Sequence, residues 1–329
     1  MLRVTPIAEV DFARHVEHFD VAPSGHAIAV SKDGRAIVLD AGLETIATSW
    51  LGKVPASIAI ASGGQHIAYA TSEKRLKLLD AIGFPIPFDF DGHVDYLSFS
   101  YDGALLWCST GDGDTIALQV FDVASLQRVA SVELDDPIGD SAALFRPHPS
   151  GVMGVWIAAG QDGQCIRWAR VEGTTIAIEE LAEVWDCMPP AFDASGDRFA
   201  TVAGEELRVY SFADDVLLDA LPFPSEDDDD QFAEYIAFVG DDRLVFSTVR
   251  EHIYAVDLDG MNVLGEVIVG DHVPRRVSEL YPPLDDDAMS TDLRYFLPIG
   301  GTTVVSLHAD LPSKERGGGN TRASLWRLP

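Results

Sequence analysis

Three stretches of this 329-residue chain carry side chains that could do chemistry. Gly92-His93 opens the run DGHVDYLSFSYDGALLWCST at 91–110, and an imidazole beside a turn is a natural general base. Just beyond it, STGDGDT at 109–115 alternates Asp and Gly, including Asp112 and Asp114, as do loops that wrap a hard cation in oxygen ligands. SEDDDDQ at 225–231 places Glu226, Asp227, Asp228, Asp229 and Asp230 in one acidic run.

Each of these has a plainer reading. The GDGD stretch lacks the further acidic ligands and closing Glu of an EF-hand, and Gly-Asp is ordinary turn chemistry. No Gly-x-Ser-x-Gly elbow, HExxH pair or dinucleotide fingerprint stands in a fitting context, and the GGG at 317–319 has no following Lys-Ser/Thr to make a phosphate loop. No catalytic, cofactor-binding or metal-binding residue is therefore assigned. The acidic run, between a fourth and a first strand-like run, reads as a solvated loop suited to a basic partner. A second acidic stretch, YPPLDDDAMSTD at 281–292, is expected on the opposite face.

What must position these residues is a repeat. Turn-centred segments recur: APSGHAIAVS from 22, ASGGQHIAYAT from 61, SYDGALLWCST from 100, HPSGVMGVWIAA from 148, DASGDRFATVA from 193, VGDDRLVFSTV from 239 and MSTDLRYFLPI from 289. Each is a short Gly/Asp/Ser turn leading into an apolar run, which is a hairpin signal, and each follows another strand-like run such as HVDYLSF. A third run ends in a bulky residue and often Asp: Leu39-Asp40, Leu79-Asp80, Phe121-Asp122, Trp168-Ala169, Tyr210-Ser211, Val256-Asp257 and Trp326-Arg327. A more polar fourth run, such as QRVASVEL or VLGEVIVG, closes the unit. Units of roughly 40–50 residues with four short strands, and no long helical periodicity, predict stacked sheets around an axis.

This layout resembles the WD40-repeat family of β-propellers, whose units carry Gly-His near the start, a Ser-Pro-Asp-Gly-like hairpin and a terminal Trp-Asp. The third unit matches best, with Gly92-His93, FSYDG at 99–103 and Phe121-Asp122. The resemblance implies an all-β, seven-bladed propeller of four-stranded antiparallel blades forming one domain over 1–329. Its last unit stops after ASLWRLP without a fourth strand, which the N-terminal RVTPIAEVDF is expected to supply, removing exposed edges. The resemblance also makes His93 a structural residue, in a hydrogen-bond network with Asp112 or Asp114. LHADLPSKERGGGNTRASLW inserts a Gly-rich, locally basic loop into the seventh unit.

Bulk properties narrow the function. With 47% hydrophobic residues the chain buries a large core, and its first residues form neither a signal peptide nor a membrane span. Cys108, Cys165 and Cys187 are odd in number and widely spaced, which predicts neither disulfides nor structural zinc and favours a reducing, cytoplasmic setting. A formal charge of −30 disfavours nucleic acid and anionic lipid and favours a basic partner. Five lysines and an excess of Asp over Glu also fit a GC-rich genome or a salt-adapted cytoplasm. The expectation is a non-catalytic interaction scaffold, a monomer or a subunit of a hetero-complex, docking a basic protein through the loops of one face. Its alternatives are a lactonase- or hydrolase-like propeller enzyme with a channel-mouth site, and a structural subunit of a bacterial stress or defence complex.

Overall fold

The computed structural model describes residues 1–88, 90, 92–112, 115–135, 142–158, 164–224, 230–250, 252–270, 293–298, 302–309 and 321–329. Among them the chain is all β, apart from one 3-10 turn at Ser62–Gly64. After β1 (Leu2–Val4) and β2 (Ala8–Phe12), the strands run as antiparallel meanders. The first is β3 (Val16–Val21), β4 (Ala27–Ser31), β5 (Arg35–Leu39) and β6 (Thr45–Trp50); the second is β7 (Ser57–Ile60), β8 (His66–Ala70), β9 (Leu76–Asp80) and β10 (Pro85–Ile86). The third is β11 (Tyr96–Phe99), β12 (Leu105–Asp112), β13 (Thr115–Asp122) and β14 (Gln127–Asp135). The fourth is β15 (Ala142–Pro147), β16 (Met153–Ala158), β17 (Gln164–Glu172) and β18 (Thr175–Trp185). The fifth is β19 (Ala191–Phe192), β20 (Arg198–Ala203), β21 (Glu206–Ser211) and β22 (Leu217–Pro222), and the sixth is β23 (Phe232–Val239), β24 (Arg243–Thr248), β25 (Ile253–Asp257) and β26 (Asn262–Val269). The seventh holds β27 (Leu293–Pro298), β28 (Thr303–Ala309) and β29 (Thr321–Arg327).

Two links depart from simple meanders. β14 and β18 meet through one parallel pair, Ser131 with Thr175, and so join the third and fourth units into one eight-stranded sheet. The N-terminal strands straddle two sheets: β1 lies parallel to β26, and β2 pairs antiparallel with β29, Ala8 opposite Leu325 and Phe12 opposite Thr321. One expected boundary is corrected. Trp168-Ala169 does not end a third strand, because β17 continues to Glu172 and makes a longer hairpin with β18.

The repeat has a visible chemical cause at both of its turns. The turns between first and second strands are closed by backbone bonds, as from Ala22 N–H to His26 O at 2.8 Å and from Ser100 N–H to Leu105 O at 2.8 Å. Gly103 in such a turn has φ +76°, and a Cβ there would stand 3.2 Å from the backbone nitrogen of Ser62 in the preceding unit, so glycine serves both the conformation and the approach. The Asp that ends a third strand is a turn cap. The Asp40 carboxylate accepts the N–H of Gly42 and Glu44, Asp80 that of Ile82 and Phe84, Asp122 that of Ser125, and Asp257 that of Asp259.

Burial follows position in the sheet. β4 is buried at every residue, whereas the outer strand β6 is exposed at alternate positions. The apolar core divides into clusters that each bridge two consecutive units. Ile28, Val30 and Val38 of the first pack with Ile58, Ile67 and Leu79 of the second, and so on along the chain. A last cluster joins Phe12, Leu307 and Leu325 to Val16, Phe19 and Leu39.

Phe12 is 3% exposed within that last cluster, on a strand whose partner comes from the far end of the sequence. Phe12→Ala is expected to cost about 3–5 kcal/mol in denaturant unfolding. Deleting residues 1–12 should lower Tm further and promote self-association through bared β26 and β29, read by light scattering. An unchanged Tm after deletion would sink this account of the N-terminal strands.

Candidate functional site

The first strands of the units converge on one cavity of about 150 Å³, lined by Val21 and Pro23 of the first unit, Tyr101 of the third, Arg146 and Pro147 of the fourth, Phe192 of the fifth and Ile236 and Phe238 of the sixth. Units so far apart in sequence meet in one cavity only around a common axis. These residues lie at the ends of the first strands, so the cavity opens among the first-to-second turns. The walls are mostly apolar, with the Arg146 guanidinium and Asp193 among the lining residues.

Consecutive units are pinned at or near this end. Gly63 N–H donates to Ser24 Oγ at 2.8 Å, and Ser62 Oγ donates to the Tyr101 carbonyl at 2.6 Å. Arg198 Nη2 donates to the Asp241 carbonyl at 2.6 Å. Asp20 Oδ2 accepts the N–H of Ile60 at 2.9 Å. Burial pushes the Asp20 carboxyl up, against the pull of the Ile60 and Val21 N–H groups and the charge of Arg146. Asp193 is 3% exposed, and its charge is met by Arg198 Nε at 2.9 Å and by its own turn.

His148 is the most enclosed of these pins. Its ring stacks on Phe212 with centroids 3.8 Å apart and meets Phe192 edge-on at 4.8 Å. Nε2 lies 2.7 Å from the Gly196 carbonyl, while Nδ1 lies 3.0 Å from the Ser150 N–H. A carbonyl only accepts and an N–H only donates, so the geometry selects the neutral ring protonated at Nε2. Burial lowers the His148 pKa, against the Gly196 carbonyl and the charge of Asp193. A Cβ at position 196 would sit 2.7 Å from the imidazole, so glycine is required there.

Of the residues singled out in the sequence, His93, Asp112 and Asp230 are described, and none of these lines the cavity. His93 precedes β11 with its side chain exposed, Asp112 ends β12, and Asp114 lies outside the described residues. The acid that ties this corner is Asp95, which accepts Gly111 N–H at 2.7 Å and pairs with Lys74. Glu226, Asp227, Asp228 and Asp229 also lie outside the described residues. Asp230 is described. It is 5% exposed and its carboxylate accepts the N–H of Gln231 and Arg250. The stretch 281–292 and most of the seventh-unit insertion, 310–320, are likewise outside the described residues. The strands flanking 281–292, β26 and β27, are a fourth and a first strand, as are β22 and β23 around the 225–231 run.

A polar network that the sequence reading missed lies in the seventh unit. Trp326 Nε1 donates to Ser306 Oγ at 3.0 Å, and Ser306 Oγ lies 2.8 Å from His308 Nε2, all buried. Its signal was the i, i+2 spacing of Ser306 and His308, which puts both on one face of β28.

None of the three cysteines is among the residues lining the cavity. Cys108, Cys165 and Cys187 are buried and take part in no disulfide, and burial raises the pKa of each, that of Cys187 to about 12, so thiolate chemistry is suppressed. Among the described residues no three His, Cys, Asp or Glu side chains come together to hold a metal ion.

Comparison with known proteins bears on the fold. No family model matches the chain, and no curated protein matches it. Among solved structures, the chain is similar to the Cps50 (Swd1) β-propeller domain of Myceliophteria thermophila, with TM-score 0.62 and 11% identity over 99% of this chain and 100% of that one. It is also similar to hydrazine synthase of Kuenenia stuttgartiensis, with TM-score 0.55 and 13% identity over 76% of this chain and 79% of that one. At these identities the likeness is one of fold, that of a WD40-type β-propeller.

His148 also predicts a pH dependence. Its folded pKa lies below the ordinary value of 6.5, so its contribution is complete above that pH and is lost as pH falls through 6.5 towards the folded value. His18, lowered by burial, acts in the same direction, while the raised Asp20 opposes both. Tm should therefore fall less between about pH 7 and pH 5 in His148→Gln than in the unaltered protein. Equal slopes would refute the role given to this imidazole.

Proposed function

We propose that this chain is a single-domain, seven-bladed propeller, closed by its N-terminal strand, that serves as a non-catalytic scaffold for a protein partner with a basic surface. The observation that carries the reading is the sharing of every apolar cluster between neighbouring units, with Phe12, Leu307 and Leu325 packing on Val16 and Phe19 to link last to first. A ring held in this way keeps its backbone still, so its loops engage a partner at little ordering cost. The chain's charge of −30 and the Glu226–Asp229 run supply attraction for a basic patch. Among the described residues no helix is long and apolar enough to cross a membrane.

A place as one subunit of a larger assembly is a second form of the same reading. It is favoured by apolar side chains exposed on outer strands, Trp50 at 64% on β6 and Leu217 and Leu218 at 47% and 54% on β22, which a neighbouring subunit would cover.

Binding of a Lys/Arg-rich peptide, followed by fluorescence anisotropy, tests the docking. Affinity should fall steeply with salt, and the triple variant Asp227→Lys, Asp228→Lys, Asp229→Lys should weaken it by about tenfold or more and flatten the salt dependence. Binding indifferent to both salt and charge reversal would overturn the assignment.

A further inference from the structure

Several described cations here sit in ion pairs, as Arg167 with Glu180, Arg198 with Asp193, Arg208 with Glu206 and Arg322 with Asp11. Arg146 differs. It stands on the axial cavity, and among the described residues its guanidinium makes one hydrogen bond, from Nη1 to the Phe145 carbonyl at 3.1 Å. Four of its five N–H donors are thus left for solvent or a ligand. The two nearby acids do not use them. Asp20 is committed to backbone N–H groups and Asp193 to Arg198.

The surroundings set the ligand's character. Pro23, Pro190, Phe192, Ile236 and Phe238 wall the cavity, and about 150 Å³ accommodates a single six-membered ring. Planar, two-pronged recognition by a guanidinium suits a carboxylate, and a singly charged group costs less to desolvate against such walls than a phosphate dianion. We propose that the channel mouth binds a small apolar carboxylate, its oxygens on Arg146 and its hydrocarbon body against Phe192, Ile236 and Phe238. This site lies among the first-to-second turns, away from the fourth-to-first connections that carry the acidic run, so it stands or falls independently of docking there.

A free acid and the C-terminal carboxylate of a peptide ending in an apolar residue share this chemistry. Titration calorimetry on the full chain with benzoate, benzamide, Gly-Gly-Phe and its C-terminal amide separates them. Benzoate and Gly-Gly-Phe are expected to bind at least about tenfold more tightly than their neutral counterparts, and Arg146→Ala should lose that margin. Tighter binding of the peptide acid would identify a peptide terminus as the source, and tighter binding of benzoate a free acid. Ala194→Trp, at an exposed turn position on the cavity rim, should block both acids while leaving Arg146 in place, and it decides the matter if Arg146→Ala fails to fold. Neutral and charged probes binding alike, affinity retained in either folded variant, or no binding of either acid at millimolar concentration would each overturn the proposal.

Discussion

Burial in this protein depends on neighbours: Ile28 and Val38 in the first unit are covered by Ile58, Ile67 and Leu79 of the second, and Phe19 and Leu39 by Leu307 and Leu325 of the seventh. A four-stranded sheet has two faces and cannot cover either by itself, so each unit becomes stable only when both its neighbours are in place. The polar ties serve the same end. Ser24, Ser62, His148 and Arg198 each reach one unit onward, and they do so near the axis, where sheets stand closest. Apolar burial supplies the cohesion, and these directional bonds fix how each sheet is set against the next.

The cavity also holds a cation within this acidic chain, with Asp20 and Asp193 near it. A protein with a formal charge of −30 repels anions at long range, yet its cavity presents the Arg146 guanidinium among prolines and phenylalanines. Screening by salt shrinks the long-range repulsion to about 8–10 Å, while contacts inside a partly dry cavity are screened far less. Selection at such a site is therefore made by close fit and hydrogen bonding.

The repeat was legible because its turns use residues with few substitutes. Gly103 needs a positive φ beside a neighbouring backbone, and Asp40, Asp80, Asp122 and Asp257 cap their turns through backbone N–H groups, so these residues mark the units in the sequence. Inner strands read as continuous apolar runs because both faces are covered, as in β4. The cavity was not legible. Arg146 looks like any arginine near a strand end, and nothing local reveals that Val21 and Phe238 will stand across from it. Nor did the motif search find Ser306, His308 and Trp326, because that network sits within one sheet and away from any Gly-His. The acidic run announced itself by composition, but the burial of Asp230 followed from its bond to Arg250 N–H, a partner twenty residues on.

The strand β2 has a history that its neighbours lack. It leaves the ribosome before any of the main sheets, but Ala8 must wait for Leu325, and at about 5–20 residues per second that wait is on the order of 15–60 s. Through that interval an alternating strand with an apolar edge stays unpaired, next to nascent sheets whose own edges are open. Pairing of β2 is thus deferred until β29 has been made.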